Sequence, residues 1–283
     1  MGGEPLVILV ENLGLVARSL DDMVRPRLLE YGFRVLDPVP GVEKVPPITT
    51  RGLAICDVDL RPGLSGADAV RRLGSQGWSV LLISGQASAA QVLDAIAAGA
   101  HGYIDKSSPD EARLIEAIVT AADGRKHLSP VLAAMFYEDK QQRRLPHGQE
   151  LSFSDQEVLR AFVRGETGGR IAAARGLDAA GLQRALTRIF AAAALRRRLH
   201  QLTEREIDIL RAFGCSAGAT AVSVAGRLNI EVNTVNSHLS RIRKKYLATH
   251  SVADSAVPPT QQVVAMLWAR ELGLCTETTH RRW

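Results

Sequence analysis

The stretch LTEREIDILRAFGCSAGATAVSVAGRLNIEVNTVNSHLSRIRKKY, residues 202 to 246, decides how the chain is read. From Asn233 to Tyr246 the apolar positions Val235, Leu239, Ile242 and Tyr246 recur every three or four residues, the spacing of one buried helical face. The opposite face shows Thr234, Asn236, Ser237, Ser240, Arg241, Arg243, Lys244 and Lys245, with no acid on it. Upstream, Val224, Ala225, Leu228 and Ile230 make a shorter apolar stripe ending at Asn229-Ile230, where a turn sends the chain into the next helix. Two short helices joined tightly, the second polar and basic, form a helix-turn-helix. A helix of this width fits the major groove of double-stranded DNA, with side chains of its N-terminal half on base edges and cations further along on phosphates. A basic face on a lone helix would usually be no more than a solvated surface, so the neighbouring residues carry the argument further.

Those residues agree in type at fixed offsets over more than forty positions. The segment resembles the DNA-binding domain of the LuxR (NarL/FixJ) family, where LTxRE opens a first helix, IAxxL a second, and TVxxHLxxIxxKL the recognition helix. The counterparts are Leu202-Thr203-Glu204-Arg205-Glu206, Val224-Ala225-Gly226-Arg227-Leu228, and Thr234-Val235 with His238, Leu239, Ile242 and Lys245. The resemblance implies Asn236, Ser237 and Ser240 toward bases, and Thr234, Arg241, Arg243, Lys244 and Lys245 toward phosphates. Where the family usually carries Lys after Thr-Val, this chain has Asn236. Asn can pair with adenine in the groove but adds no attraction for phosphate.

With 283 residues, 46% of them hydrophobic and 23% charged, the chain is long enough for two or three packed domains. No apolar run reaches about eighteen residues and no charged leader precedes an apolar core near Met1, so a cytoplasmic protein without membrane span or secretory signal is expected. Cys56, Cys215 and Cys275 lie far apart with no CxxC or Cys/His cluster, which reads as reduced thiols rather than a metal site. Residues 1 to 140 hold 14 Lys/Arg against 18 Asp/Glu, and residues 141 to 283 hold 21 against 12. An acidic N-terminal half and a basic C-terminal half suit a regulatory module joined to a nucleic-acid module.

The N-terminal half alternates strand and helix. LVILV at 6 to 10 is a continuous apolar run, the pattern of a strand buried on both faces of a parallel sheet. Short apolar runs follow at 33–36, 53–56, 80–83 and 102–104, and the spacers at 15–30, 66–74, 88–98 and 109–122 have helical periodicity. The pattern predicts a doubly wound, flavodoxin-like α/β domain over residues 1–122. In such sheets functional groups gather beyond the carboxyl ends of the strands, where Glu11, Asn12, Asp57, Asp59, Ser84 and Lys106 fall. Carboxylates beside a lysine and a hydroxyl suit a hard cation and a phosphoryl group carried on one carboxylate.

With DVDLRPGLSG after the third strand, Ser84 after the fourth and GYIDK at the fifth, this domain resembles a response-regulator receiver. The resemblance implies Asp57 as phosphoacceptor, Ser84 as the hydroxyl that follows the phosphoryl group, Lys106 as its ion partner and Tyr103 as the aromatic that repacks on switching. It also implies a Mg²⁺ held by Glu11, Asn12, Asp57 and Asp59, and a sensor histidine kinase as partner. Receivers normally place two acids after strand one; here Glu11 is followed by Asn12, a neutral oxygen that weakens such a site. Pro62 also follows Asp57 by one residue more than the usual spacing. The domain is then either a working phospho-switch or a receiver fold kept for dimerisation or partner binding.

Residues 123–150 are polar and broken by Gly124, Pro130, Pro146 and Gly148, a linker with room for a short helix over 131–140. Next comes an internal repeat. LSFSDQEVLRAF at 151–162 aligns without a gap on LTEREIDILRAF at 202–213, and Leu182, Leu186 and Ile189 fall on Val235, Leu239 and Ile242. Residues 151–200 therefore read as a first helix-turn-helix, with residues 201–283 the second. On the first copy's recognition helix, Gln183, Arg184, Thr187 and Arg188 are followed by alanines where the second copy is basic. That copy is either a second reader or a degenerate unit packed against its sibling. Gln261 to Leu272 forms a final amphipathic helix ended by Gly273; in the LuxR family this helix often mediates dimer contacts.

The expectation for the whole is a homodimeric DNA-binding transcription regulator. The competing expectation is an adaptor, or anti-sigma-type regulator, whose receiver fold binds another protein. An enzyme is not expected, because the sequence offers no nucleophile–base pair, metal cluster or phosphate-binding glycine loop.

Overall fold

The computed structural model describes residues 4–60, 63–107, 111–142, 145, 149–216, 218–249 and 259–274. Pro62, Pro146, Gly148 and Cys275 lie outside them. The chain divides into two compact units, Met1–Arg144 with Glu150–Ala194, and Leu145–Gln149 with Leu195–Trp283.

The first unit is built on five parallel strands: β1 (Leu6–Val10), β2 (Arg34–Val35), β3 (Gly52–Asp57), β4 (Ser79–Ser84) and β5 (Gly102–Asp105). Their order is β2-β1-β3-β4-β5, the flavodoxin-like arrangement that the alternating pattern predicts. All six residues of β3 are buried, as continuous apolar runs require of a sheet covered on both faces. One face, through Val7, Leu9, Leu53, Ile55, Leu81 and Ile83, packs with α1 (Gly14–Glu30) and α4 (Glu111–Ala122), which contribute Val24, Leu28, Leu114 and Ile118. Helices α2 (Gly66–Ser75) and α3 (Ala89–Ala97) start at Ser65 and Ser88, whose hydroxyls accept the backbone N–H three residues on. Between β2 and β3 a 3₁₀ turn (Val42–Lys44) takes the place of a crossover helix. At the edge of the sheet beside β1, β2 is only two residues long, shorter than the apolar run at 33–36 suggests.

The stretch read as a linker holds α5 (Pro130–Gln142), with Leu132, Ala133 and Phe136 buried. Ahead of it, residues 127–129 run along the outer edge of β5. His127 N–H donates to the His101 carbonyl at 2.8 Å, and the Ser129 hydroxyl donates to the Tyr103 carbonyl at 2.8 Å. A Cβ at Gly102 would stand 2.7 Å from the His127 carbonyl oxygen, so this approach needs glycine there. The first repeat, α6 (Phe153–Val163), α7 (Gly168–Ala174) and the start of α8 (Ala179–His200), belongs to this same unit. The rings of Phe136 and Phe190 meet edge to face at 5.1 Å.

The second unit holds α9 (Glu204–Gly214), α10 (Ala221–Leu228), α11 (Val232–Thr249) and α12 (Gln261–Glu271). Asn229 ends α10 in the left-handed conformation, φ 50° and ψ 55°, which lets the chain turn sharply into α11. Ile209, Leu210 and Phe213 of α9, Val224 of α10, Val235, Leu239 and Ile242 of α11, and Trp268 of α12 are all buried.

Candidate functional site

Parallel strands deliver their carboxyl ends to one edge, and the sequence-predicted pocket residues divide there into two groups. Glu11, just past β1, and Asp57, the last residue of β3, are both buried. Lys106, just past β5, reaches between them: its ammonium donates to Asp57 Oδ2 at 2.9 Å and also to Glu11 Oε2. Burial pulls the Lys106 pKa down, but the hydrogen bonds to Glu11 and Asp57 outweigh it and the value is raised. One ammonium on two carboxylates leaves a small, partly neutralised anionic centre that a phosphoryl group can join on Asp57.

The other residues lie beside this centre rather than in it. The Ser84 hydroxyl donates to Asp59 Oδ2 at 3.2 Å and accepts from the Gln86 and Ala87 N–H groups. Tyr103 is buried beneath, donating to the Ser84 carbonyl at 3.2 Å, and burial pushes its phenol up to about 12. Asn12 donates its amide to the Leu60 carbonyl.

Of the four residues read as a metal set, Glu11, Asn12, Asp57 and Asp59, only Glu11 and Asp57 share the Lys106 ammonium. Asp59 is turned to Ser84 and Gln91, Asn12 to the loop at Leu60, and among the described residues no three His, Cys, Asp or Glu side chains gather as a metal site. Glu11 and Asp57 remain as two carboxylates, the smallest set that suits Mg²⁺ with water and phosphate oxygens completing its shell.

In the second unit the first turn of α9 is a capping box. Thr203 accepts from Glu206 N–H, and Glu206 accepts from Thr203 N–H at 2.8 Å. Glu206 is 1% exposed and its Oε2 also takes the Lys245 ammonium at 2.7 Å. Burial alone would push this carboxyl up, but Lys245 and the Thr203 amide hold it below the usual range. The face of α11 left exposed is Asn233, Thr234, Asn236, Ser237, Ser240, Arg241 and Lys244.

Two of the eight residues read as DNA contacts do not share that face. Lys245 lies at the rim of the buried seam on Glu206, and half-buried Arg243 donates to the Pro259 carbonyl at 3.1 Å. Asn233 joins the exposed face instead, with its carbonyl accepting the Ser237 hydroxyl at 2.9 Å. Its signal in the sequence was its place four residues before Ser237.

The first repeat keeps the same internal staple with different side chains. Asp155, the counterpart of Glu206, is buried and gripped bidentately by Arg188 at 2.8 and 2.7 Å. Gln183, the counterpart of Asn236, is spent on the connector: Lys126 N–H donates to its Oε1 at 3.1 Å, and its Nε2 donates to the Lys126 carbonyl at 3.2 Å. The Lys126 ammonium sits 5.4 Å from the Phe190 ring centre and donates to the Ala100 carbonyl at 3.1 Å. Burial brings that amine down to about 8. Within its own unit the first repeat is joined to the connector through Gln183 and to α5 through Phe190.

Residues 200–257 match the family described as "Bacterial regulatory proteins, luxR family". The chain is 31% identical over 140 residues to the transcriptional regulatory protein UhpA of Escherichia coli, covering 49% of this chain and 66% of UhpA, just under two thirds of that protein's length. It is 24% identical over 196 residues to the transcriptional regulatory protein DesR of Bacillus subtilis, covering 69% of this chain and 90% of DesR. Among solved structures, the response regulator ChrA of a heme-sensing two-component system aligns over 97% of this chain and 100% of its own, at 21% identity and a TM-score of 0.40. A LuxR-family two-component response regulator from Aurantimonas aligns over 48% and 97%, at 28% identity and a TM-score of 0.39.

Proposed function

We propose that the chain, whose residues 200–257 match the luxR family of bacterial regulatory proteins, is a response regulator that controls transcription by binding DNA through α11. The observation that carries this reading is the acid-free exposed face of α11, raised on a seam of Val235, Leu239, Ile242 and Tyr246. In the major groove, Asn233, Asn236, Ser237 and Ser240 are placed for base edges, and Thr234, Arg241 and Lys244 for phosphates. Lys245 and Arg243 hold the helix in place instead.

The regulatory input is Asp57. A phosphoryl group passes from its donor to a carboxylate oxygen of Asp57, forming an acyl phosphate as the donor's P–O or P–N bond breaks. Lys106 shifts its balance from Asp57 to the new phosphate charge, and Glu11 keeps it in register. A Mg²⁺ on Glu11 and Asp57 would neutralise phosphoryl oxygens. A sensor histidine kinase is the class of donor that goes with this chemistry, a homodimer the form that goes with paired half-sites, and the cytoplasm the compartment. Among the described residues no helix is long and apolar enough to cross a membrane.

The test is retention of genomic fragments by the full chain at about 0.15 M salt. A regulator retains a few fragments far above the rest. Uniform, weak retention would favour the adaptor reading, in which the receiver fold serves another protein.

A further inference from the structure

Beside the outer edge of β5 lies a cavity of about 160 Å³. Its walls come from β5, α4, the connector before α5, and the turn between α6 and α7 of the first repeat. Ile104, Leu114, Leu128 and Phe162 make the lining mostly apolar. Asp105, Arg113, Glu116 and Glu166 also line it, three acids to one cation, so the mouth disfavours an anion, and the apolar walls disfavour any buried charge.

One polar side chain inside stands apart. Ser129 and Thr167 also line the cavity, but the Ser129 hydroxyl is used on the Tyr103 carbonyl and Thr167 caps α7. The imidazole of His127 makes no hydrogen bond with any described residue, although its backbone is pinned to His101. Burial brings this imidazole down to about 4, so it is neutral at ordinary pH and offers one donor and one acceptor. The half-buried imidazole thus lines the cavity with its hydrogen-bonding capacity unused by the protein, and an apolar space of this size admits one six-membered ring.

We propose that this cavity is a binding site for a small uncharged ring compound bearing one hydrogen-bonding substituent, with the substituent on His127 and the ring among Ile104, Leu114, Leu128 and Phe162. Both the sheet and the first repeat contribute walls, so an occupant bridges them. This gives the extra repeat a part in sensing, independent of whether α11 binds DNA.

Phenol is the probe and benzene its comparator, each titrated into the full-length chain while the melting temperature and the amide NMR shifts of Gly165 and Gly168 are followed. The expected result is saturable phenol binding that raises the melting temperature and moves both amides. His127→Phe should weaken phenol about fivefold, the worth of one neutral hydrogen bond, and leave benzene unchanged. Val131→Trp, at a rim position 40% exposed and so tolerant of a larger side chain, should fill the space and abolish both. Absence of saturable binding to the wild type, or phenol bound equally by folded Val131→Trp, overturns the proposal.

Discussion

Lys244 and Lys245 are neighbours in the chain with different duties, and the difference starts at Glu206. A carboxylate buried to 1% must have partners, and the partners here are the Thr203 amide and the Lys245 ammonium. Glu206→Gln keeps the shape and removes the charge, so it should lower the urea-unfolding stability of the second unit by about 1–2 kcal/mol, discounted because Lys245 is one-third exposed. The Glu206 carboxyl is held below its ordinary value, so its contribution is present above about pH 4.5 and lost as pH falls through the folded value. A Glu206→Gln variant should lose less stability than the wild type between pH 5 and pH 3; an equal loss would mean that the ion pair contributes nothing. The sequence placed both lysines on the polar face. Position 245 lies three residues after Ile242, at the rim of the apolar stripe, and only the folded position of Glu206 shows that it is drawn inward.

At the scale of elements, four of the five strands were legible because each holds an unbroken apolar run with polar ends, whereas β2 carries Arg34 inside its run, and the second helix-turn-helix was legible because its seam keeps one period from Val235 to Tyr246. Helix α5 was only half legible. Its buried positions Leu132, Ala133 and Phe136 sit in a polar stretch, and what fixes it is contact with α6 and the Phe190 ring rather than its own periodicity. The same holds for the first repeat, where the sequence shows Gln183 on a reading face and cannot show Lys126 facing it. Gln183→Ala removes both amide bonds to the connector, and hydrogen exchange in α6 and α7 should quicken by roughly five- to thirtyfold, about 1–2 kcal/mol of local stability. Unchanged exchange would mean that the amide pair does not hold the repeat.

The connector also sets a pH dependence. His101 and His127 are both brought down to about 4, chiefly by burial. Above the ordinary value of 6.5 they are neutral folded or unfolded and contribute nothing to pH dependence. Below it the unfolded chain takes up protons that the folded chain refuses, so the first unit should lose stability from pH 6.5 down to about 4, on the order of 2–3 kcal/mol per histidine. His127→Phe should flatten that slope in urea unfolding followed against pH; a slope equal to the wild type's would contradict the buried neutral state.

At the scale of the molecule, an acidic receiver-like N-terminal half and a basic helical C-terminal half suit the proposed division into input and output. Lys106 already bridges Glu11 and Asp57, so phosphorylation of Asp57 by acetyl phosphate should add about 80 Da, one phosphoryl group, to the wild type and none to Asp57→Ala. Equal masses after incubation with acetyl phosphate and Mg²⁺ would move the receiver fold from switch to docking surface. The central claim is the docking of α11 on DNA, and the measurement that meets it most directly is the salt dependence of affinity for one retained fragment. Lys244→Ala should weaken all fragments alike and flatten the logarithmic salt slope by about 0.9, whereas folded Asn236→Ala should change which fragment is preferred and leave the slope unchanged. A Lys244→Ala protein with the wild-type affinity and slope would show that this face of α11 does not touch the phosphates.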